Sequence, residues 1–148
     1  TGNGTSVATR IAGQMTFLAF TLPFDTPSVL ALGGWLKASV SAMNGRTALV
    51  SETIGDLIDA GACNALERTV DRVFAEHSIR PELVVHDLHP DFFSTRLALQ
   101  LAERLGIPAL GVLHHHAHVA ACLAEYALAI NAGLPTQNAF SFSASPSK

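Results

Sequence analysis

Charged residues are scarce in this chain. Asp, Glu, Lys and Arg make up only 14% of its 148 residues, whereas hydrophobic residues make up 49%. A disordered chain needs the opposite balance, so the composition predicts a folded protein of ordinary domain size. The formal net charge is −3 and no basic stripe occurs, which argues against nucleic acid as a partner.

Cysteines and long apolar runs are also few. Cys63 and Cys122 are far apart and form no CxxC pair, which argues against a zinc knuckle or a disulfide framework and favours a reducing cytoplasm. The longest apolar candidate, residues 15–24, is too short to span a membrane and is interrupted by Pro23. We therefore expect a cytoplasmic protein without a membrane partner.

The first half of the chain predicts an antiparallel meander. Short apolar runs predict strands at residues 28–32, 35–43 and 47–51. Gly33-Gly34 would form the first turn, and Asn44-Gly45 would form a hairpin turn between the second and third strands.

Helices then alternate with strands. A helix is expected to end before Pro81, and strand 82–86 follows it. Asp91 or Ser94 would cap a second helix that Gly106 ends. The apolar positions expected inside these two helices are Leu66, Val70, Val73, Phe74, Phe93, Leu97, Leu101 and Leu105.

The chain would continue with a strand at 107–113 and a helix from His114, in which Val119, Leu123 and Tyr126 are available for packing. This order predicts an α/β fold, in which a three-strand meander is followed by parallel strands with right-handed crossover helices. That is one lobe of the actin, sugar-kinase and Hsp70-like fold. The domain prediction is an unassigned segment 1–21, a lobe at 22–130 and an irregular tail at 131–148.

The sharpest chemical feature is the histidine cluster at residues 114–118, HHHAH. In a helix, His114 and His118 share a face, and two imidazoles spaced in this way can chelate one divalent metal. His115 and His116 would point elsewhere and meet a phosphate or a carboxylate. The alternative is a group of surface histidines without a ligand.

A second feature is the segment 86–91, HDLHPD, at the end of a predicted strand. His86, Asp87 and His89 suit proton transfer or the orientation of a polar substrate, although a hydrogen-bonded turn would use the same residue types. Strand order predicts that this segment and the histidine cluster lie at one sheet edge and share a site.

Two further segments fit either a binding site or an ordinary turn. Gly33-Gly34 would let a backbone approach a phosphate, with Lys37 adding charge, or would form a plain β-turn. Glu52 and Asp56 would be site carboxylates, or polar residues of a solvated turn.

Four motifs together resemble those of the HypF carbamoyltransferases, which mature [NiFe] hydrogenases. They are LALGGWLK at 30–37, SETIGDL at 51–57, HDLHPDFFSTR at 86–96 and HHHAHVAA at 114–121, and the resemblance covers about residues 22–128. It implies a partial transferase domain that shares its fold with tRNA threonylcarbamoyl transferases.

The resemblance also implies a chemistry. In the family, a YrdC-like part makes carbamoyl adenylate from carbamoyl phosphate and ATP. The transferase part passes the carbamoyl group to the C-terminal cysteine of HypE. By matching the HxxxH pair of related transferases, His114 and His118 would bind a divalent metal, zinc or iron. The competing hypotheses are a non-catalytic metal-binding or interaction module and an inactive truncated remnant.

One family element is not found at its expected place. An Asp-Gly-Thr-Gly strand that completes the metal shell is expected after the HHHAH helix, whereas residues 138–143 read NAFSFS.

Overall fold

The structure, a computed structural model, describes residues 6–7 and 16–131, with side chains over 16–123. The chain divides into two compact units, one ending at Val112 and the other starting at Leu113, and each is described by itself. The predicted irregular tail beyond residue 131 and most of the segment 1–21 lie outside the described residues.

The first unit is built on a five-stranded mixed sheet. Its strands are β1 (Ser6–Val7), β2 (Phe17–Leu32), β3 (Val40–Ser51), β4 (Leu83–Asp87) and β5 (Ala109–Val112). Strand β2 pairs antiparallel with β1 and β3 and parallel with β4, and β4 pairs parallel with β5. Helices connect the parallel strands, so the predicted α/β fold class is confirmed.

The strand boundaries differ from the prediction, because Asn44-Gly45 is not a turn between separate strands. Gly45 lies inside β3, pairs with Thr26, and is flanked by shifts of the β2–β3 register. Its φ of 60° and the 2.7 Å bond from the Thr26 hydroxyl to its carbonyl oxygen mark a bulge.

The bulge bends the whole β2–β3 ribbon. The 12 residues of β3 would span about 35–40 Å if straight, yet the Val40 N–H donates to Ser51 Oγ at 2.9 Å. Both ends of β3 therefore meet, and Ala38 pairs with Gly55 just beyond them. Asn44-Gly45 lies at the irregular stretch of the two paired strands, where the extra residues belong to β2 between Thr21 and Val29.

Residues 33–39 form the actual connection between β2 and β3, where the sequence predicted the start of a strand at residue 35. The Gly33 N–H donates to the Ser39 carbonyl oxygen at 2.9 Å. A Cβ atom on Gly33 would lie 3.0 Å from the Ser39 backbone nitrogen and oxygen. A side chain at this position would therefore require the Ser39 backbone to shift.

Two helices cover the sheet of the first unit. Helix α1 (Ala60–Glu76) begins at Asp59, whose Oδ1 accepts from the Gly61 N–H at 2.9 Å. Helix α2 (Phe93–Leu105) ends at Gly106, whose φ of 67° confirms it as the stop.

The predicted N-caps of α2 are wrong. Its N-cap is Phe92, which makes no side-chain capping bond, and Ser94 is fully buried in the first turn. The start of α2 is therefore held by packing against the interior of the unit and not by an Asp or Ser cap.

The core lies between the sheet and these helices. The predicted stripe of α1 is confirmed, with Leu66, Val70 and Val73 buried and Phe74 partly buried. In α2 the prediction fails for Leu105, which is exposed because it lies in the last turn beside Gly106. The other buried core members are Phe17, Leu30, Leu32, Ala38, Val40, Ala42, Leu49, Leu57, Ile79, Val84, Ala98, Leu101 and Ala102.

The second unit contributes helix α3 (His114–Asn131). Val119 and Leu123, predicted to be available for packing, are exposed in the structure, and the Tyr126 side chain lies outside the described ones. Within the described residues, no helix has the length and apolar character that crossing a membrane requires.

Candidate functional site

The loop after β4 is held by its own polar groups. Asp87 is the last residue of β4, and its Oδ1 accepts from the His89 N–H at 2.9 Å. The Thr95 hydroxyl, from the first turn of α2, donates to the Asp87 carbonyl oxygen at 3.1 Å. The predicted catalytic segment is thus fixed at the carboxyl end of a parallel strand, where open α/β sheets bind ligands.

The His86 ring lies over the neighbouring strand. His86 pairs with Gly111 in the β4–β5 ladder, and a Cβ atom on Gly111 would lie 3.3 Å from His86 Cε1. His86 Nδ1 lies 2.6 Å from the Asp87 carbonyl oxygen. Gly111 therefore leaves room beside the strand for two side chains, those of Leu88 and His86.

His89 belongs to an aromatic cluster that joins two loops. Its ring stacks on Phe92 with centroids 4.3 Å apart and an interplanar angle of 7°. Phe92 in turn contacts Trp35, with centroids 5.5 Å apart. No motif in the sequence marks Phe92 and Trp35 for these roles, although the parallel pairing of β2 with β4 makes the two loops neighbours.

Lys37, a predicted substrate-binding residue, lies in the same 33–39 loop as Trp35. Its φ is 50°, a left-handed conformation that is uncommon for lysine, and its N–H donates to Asp56 Oδ1 at 2.9 Å. The Leu57 N–H donates to the Trp35 carbonyl oxygen at 2.9 Å, so the segment at 54–57 anchors the loop. The side chain of Lys37 is exposed.

The structure gives the other candidate groups of this region structural roles. The Gly33 N–H donates within the connection between β2 and β3, and the approach of a phosphate to Gly33-Gly34 stays a prediction. Glu52 Oε1 accepts from the Thr16 N–H at 3.4 Å, which ties the end of β3 to the start of β2. Asp56 holds the backbone of Lys37, as a polar turn residue would.

The histidine cluster forms the start of α3 in the second unit. The Nε2 atoms of His114 and His118 are 2.9 Å apart, and their ring centroids are 4.6 Å apart. The His115 ring lies farther from that of His114, at 6.3 Å. Among the described residues, no three His, Cys, Asp or Glu side chains group as a complete metal shell. A site shared with residues 86–91 stays a prediction.

Comparison with known proteins decides the family. The model of the HypF Kae1-like domain matches residues 24–125. This chain belongs to the HypF carbamoyltransferase family.

Individual HypF proteins agree with this assignment. Over 117 residues the chain is 53% identical to carbamoyltransferase HypF2 of Cupriavidus necator, covering 79% of this chain and 14% of that protein. A HypF homolog of the same organism is 47% identical over 112 residues, covering 74% of this chain and 28% of that protein. The crystal structure of full-length HypF in a phosphate- and nucleotide-bound form superposes with a TM-score of 0.66 at 36% identity, covering 75% of this chain and 17% of that one.

The chain therefore spans only a small part of the length of its HypF relatives, and both the HDLHPD and HHHAH segments fall inside the matched residues 24–125.

Proposed function

We propose that this HypF chain is part of a lobe that transfers a carbamoyl group from carbamoyl adenylate to the C-terminal cysteine of HypE. Carbamoyl phosphate and ATP are the source of the adenylate, and the reaction serves [NiFe] hydrogenase maturation in the cytoplasm. The family match over residues 24–125 carries the proposal. The position of the HDLHPD loop at the carboxyl end of β4 supports it.

His114 and His118 would hold a divalent metal, zinc or iron. The donor set fits as a pair, since zinc–imidazole bonds of about 2.0–2.1 Å bring two nitrogens 2.9 Å apart onto one ion. Such an ion would polarise the substrate oxygens. Its remaining ligands would come from outside this pair.

The residues of the HDLHPD loop would carry the proton chemistry. As the cysteine sulfur bonds to the carbamoyl carbon, the bond from that carbon to the adenylate phosphate oxygen breaks, and AMP leaves. His86 would accept the thiol proton, and His89 would donate a hydrogen bond to the carbamoyl or phosphate oxygens. Asp87 holds both residues in place through its carbonyl and carboxylate oxygens.

Three further residues would bind the anionic oxygens of the substrate. Lys37 presents an ammonium group from a loop that is fixed through its own N–H and Asp56. His115 and His116, in the second unit, are exposed at the start of α3. Each offers a positively charged or hydrogen-bonding group to a phosphate.

The test replaces the corresponding segment of Cupriavidus necator HypF2 with residues 24–125. The chimera should carbamoylate the HypE cysteine in the presence of carbamoyl phosphate and ATP, as detected by mass spectrometry. His86→Ala and His118→Ala should each abolish the product, whereas His77→Asn, outside both motifs, should not. A chimera that folds and makes no product contradicts the proposal.

The second candidate is metal binding without catalysis, and the convergent Nε2 atoms of His114 and His118 favour it. A chimera that is inactive while the chain binds zinc through these two histidines would favour this candidate over the first.

A further inference from the structure

We propose that Thr95 is a positioning residue that keeps the proton of His86 on Nδ1 and so leaves Nε2 as the proton-accepting atom. The inference deepens the proposed function. It rests on that function only for the role of the Nε2 lone pair in accepting a proton. The tautomer itself is a property of the folded chain and is measurable without substrate.

The ring of His86 contacts the main chain of the next residue. Its Nδ1 lies 2.6 Å from the carbonyl oxygen of Asp87. A carbonyl oxygen only accepts hydrogen bonds, so the hydrogen in this bond belongs to Nδ1. In the neutral imidazole, Nε2 then carries a lone pair and no hydrogen.

The Asp87 carbonyl oxygen that receives this bond has a second donor. The Thr95 hydroxyl donates to the same Asp87 oxygen at 3.1 Å, and Thr95 is only 2% exposed. A carbonyl oxygen has two lone pairs, so both bonds form together. Because Thr95 is packed in the first turn of α2, it fixes the direction in which this carbonyl points.

The other side of the His86 ring faces β5. A Cβ atom on Gly111 would lie 3.3 Å from His86 Cε1, the atom between the two ring nitrogens. Because glycine has no Cβ, the imidazole fits beside β5 while its Nδ1 keeps the bond to the Asp87 carbonyl oxygen.

His89 shows the opposite arrangement within the same loop. Its Nδ1 accepts from the Asp91 N–H at 3.3 Å, so in the neutral ring the hydrogen lies on Nε2. His86 thus offers an acceptor and His89 a donor. This division of roles matches a site that takes a proton from one group and hydrogen-bonds another.

The experiment uses the full chain labelled with ¹⁵N. Long-range proton–nitrogen NMR spectra distinguish the two tautomers of each histidine, and His86→Asn assigns the His86 signals. The wild type and Thr95→Ser should show His86 protonated on Nδ1. Thr95→Val, which keeps the shape and removes the hydroxyl, should raise the Nε2-protonated fraction by roughly threefold or more.

Two results would overturn the inference: a wild-type His86 protonated on Nε2, or a folded Thr95→Val chain with the wild-type tautomer ratio. If the second valine methyl group prevents folding, Thr95→Ala removes the same hydroxyl with a smaller side chain. A failed transferase assay with the expected spectra would remove the proposed function and leave the role of Thr95 standing.

Discussion

His114 and His118 lie one helical turn apart with their Nε2 atoms 2.9 Å from each other. Two nitrogens at this separation, each about 2.05 Å from a common ion, subtend an angle of about 90° there. That angle is near the octahedral value and somewhat below the tetrahedral one. The pair can therefore chelate a divalent ion with little movement of either ring.

Zinc titration tests this geometry. Replacing His118 by alanine should weaken zinc binding by at least about tenfold, since the loss of even an outer-shell partner costs about 10–100-fold. His116→Ala is the matched control and should bind zinc nearly as the wild type does, because its ring is outside the pair. Isothermal titration calorimetry of the three proteins measures the difference, and equal affinities would remove the metal-binding role of the pair.

A second prediction concerns the connection between β2 and β3. Gly33→Ala should destabilise the protein by about 1–3 kcal/mol, because the added Cβ would press on the Ser39 backbone, which cannot rotate away. Gly61→Ala is the control, since its Cβ would meet only ordinary contacts at 3.5 Å or more in the first turn of α1. Urea unfolding should show Gly61→Ala as neutral or slightly stabilising. Equal destabilisation by both would contradict the close approach at Gly33.

The chemistry of Cys63 gives a prediction about pH. Partial burial raises the pKa of its thiol above the ordinary value of 9.0, with Asp59 and Glu67 adding to the effect. The folded state thus favours the neutral thiol. The stability that the neutral Cys63 thiol contributes is complete below the ordinary pKa of a thiol. It is lost as the pH rises through the raised pKa of the folded state.

Alkylation of a Cys122→Ser chain by iodoacetamide measures this shift. The rate should reach half its maximum at a pH above 9.0, since only the thiolate reacts. Asp59→Asn keeps a capping side chain at the start of α1 and removes one negative charge, so it should move the midpoint down. A wild-type midpoint at or below the ordinary value would contradict the raised pKa.

The sequence predicts periodic elements and local chemistry well. The stripe of Leu66, Val70 and Val73 defines α1, and the spacing of His114 and His118 anticipates the meeting of their rings. Both follow from helical geometry, which is local.

What depends on distant contacts is not predictable in this way. Asn44-Gly45 has the composition of a hairpin turn, and only the pairing of Gly45 with Thr26 on β2 keeps it inside β3. Asp91 and Ser94 have the chemistry of caps, yet the packing of α2 moves its start to Phe92. The Thr95–Asp87 bond likewise joins two elements whose approach the sequence does not encode locally.

The single tryptophan offers a direct probe of the two loops beside β4. Trp35 is 42% exposed, and Phe92 covers part of its ring at a centroid distance of 5.5 Å. Phe92→Ala should expose the indole further, so its fluorescence should shift to the red and acrylamide should quench it more strongly. Leu99→Ala, at an exposed position of the same helix, is the control and should leave the emission unchanged. Unchanged emission in Phe92→Ala would show that the loop carrying Lys37 does not contact the loop carrying His89. The proposed reaction needs these two residues close together, so this result would contradict it.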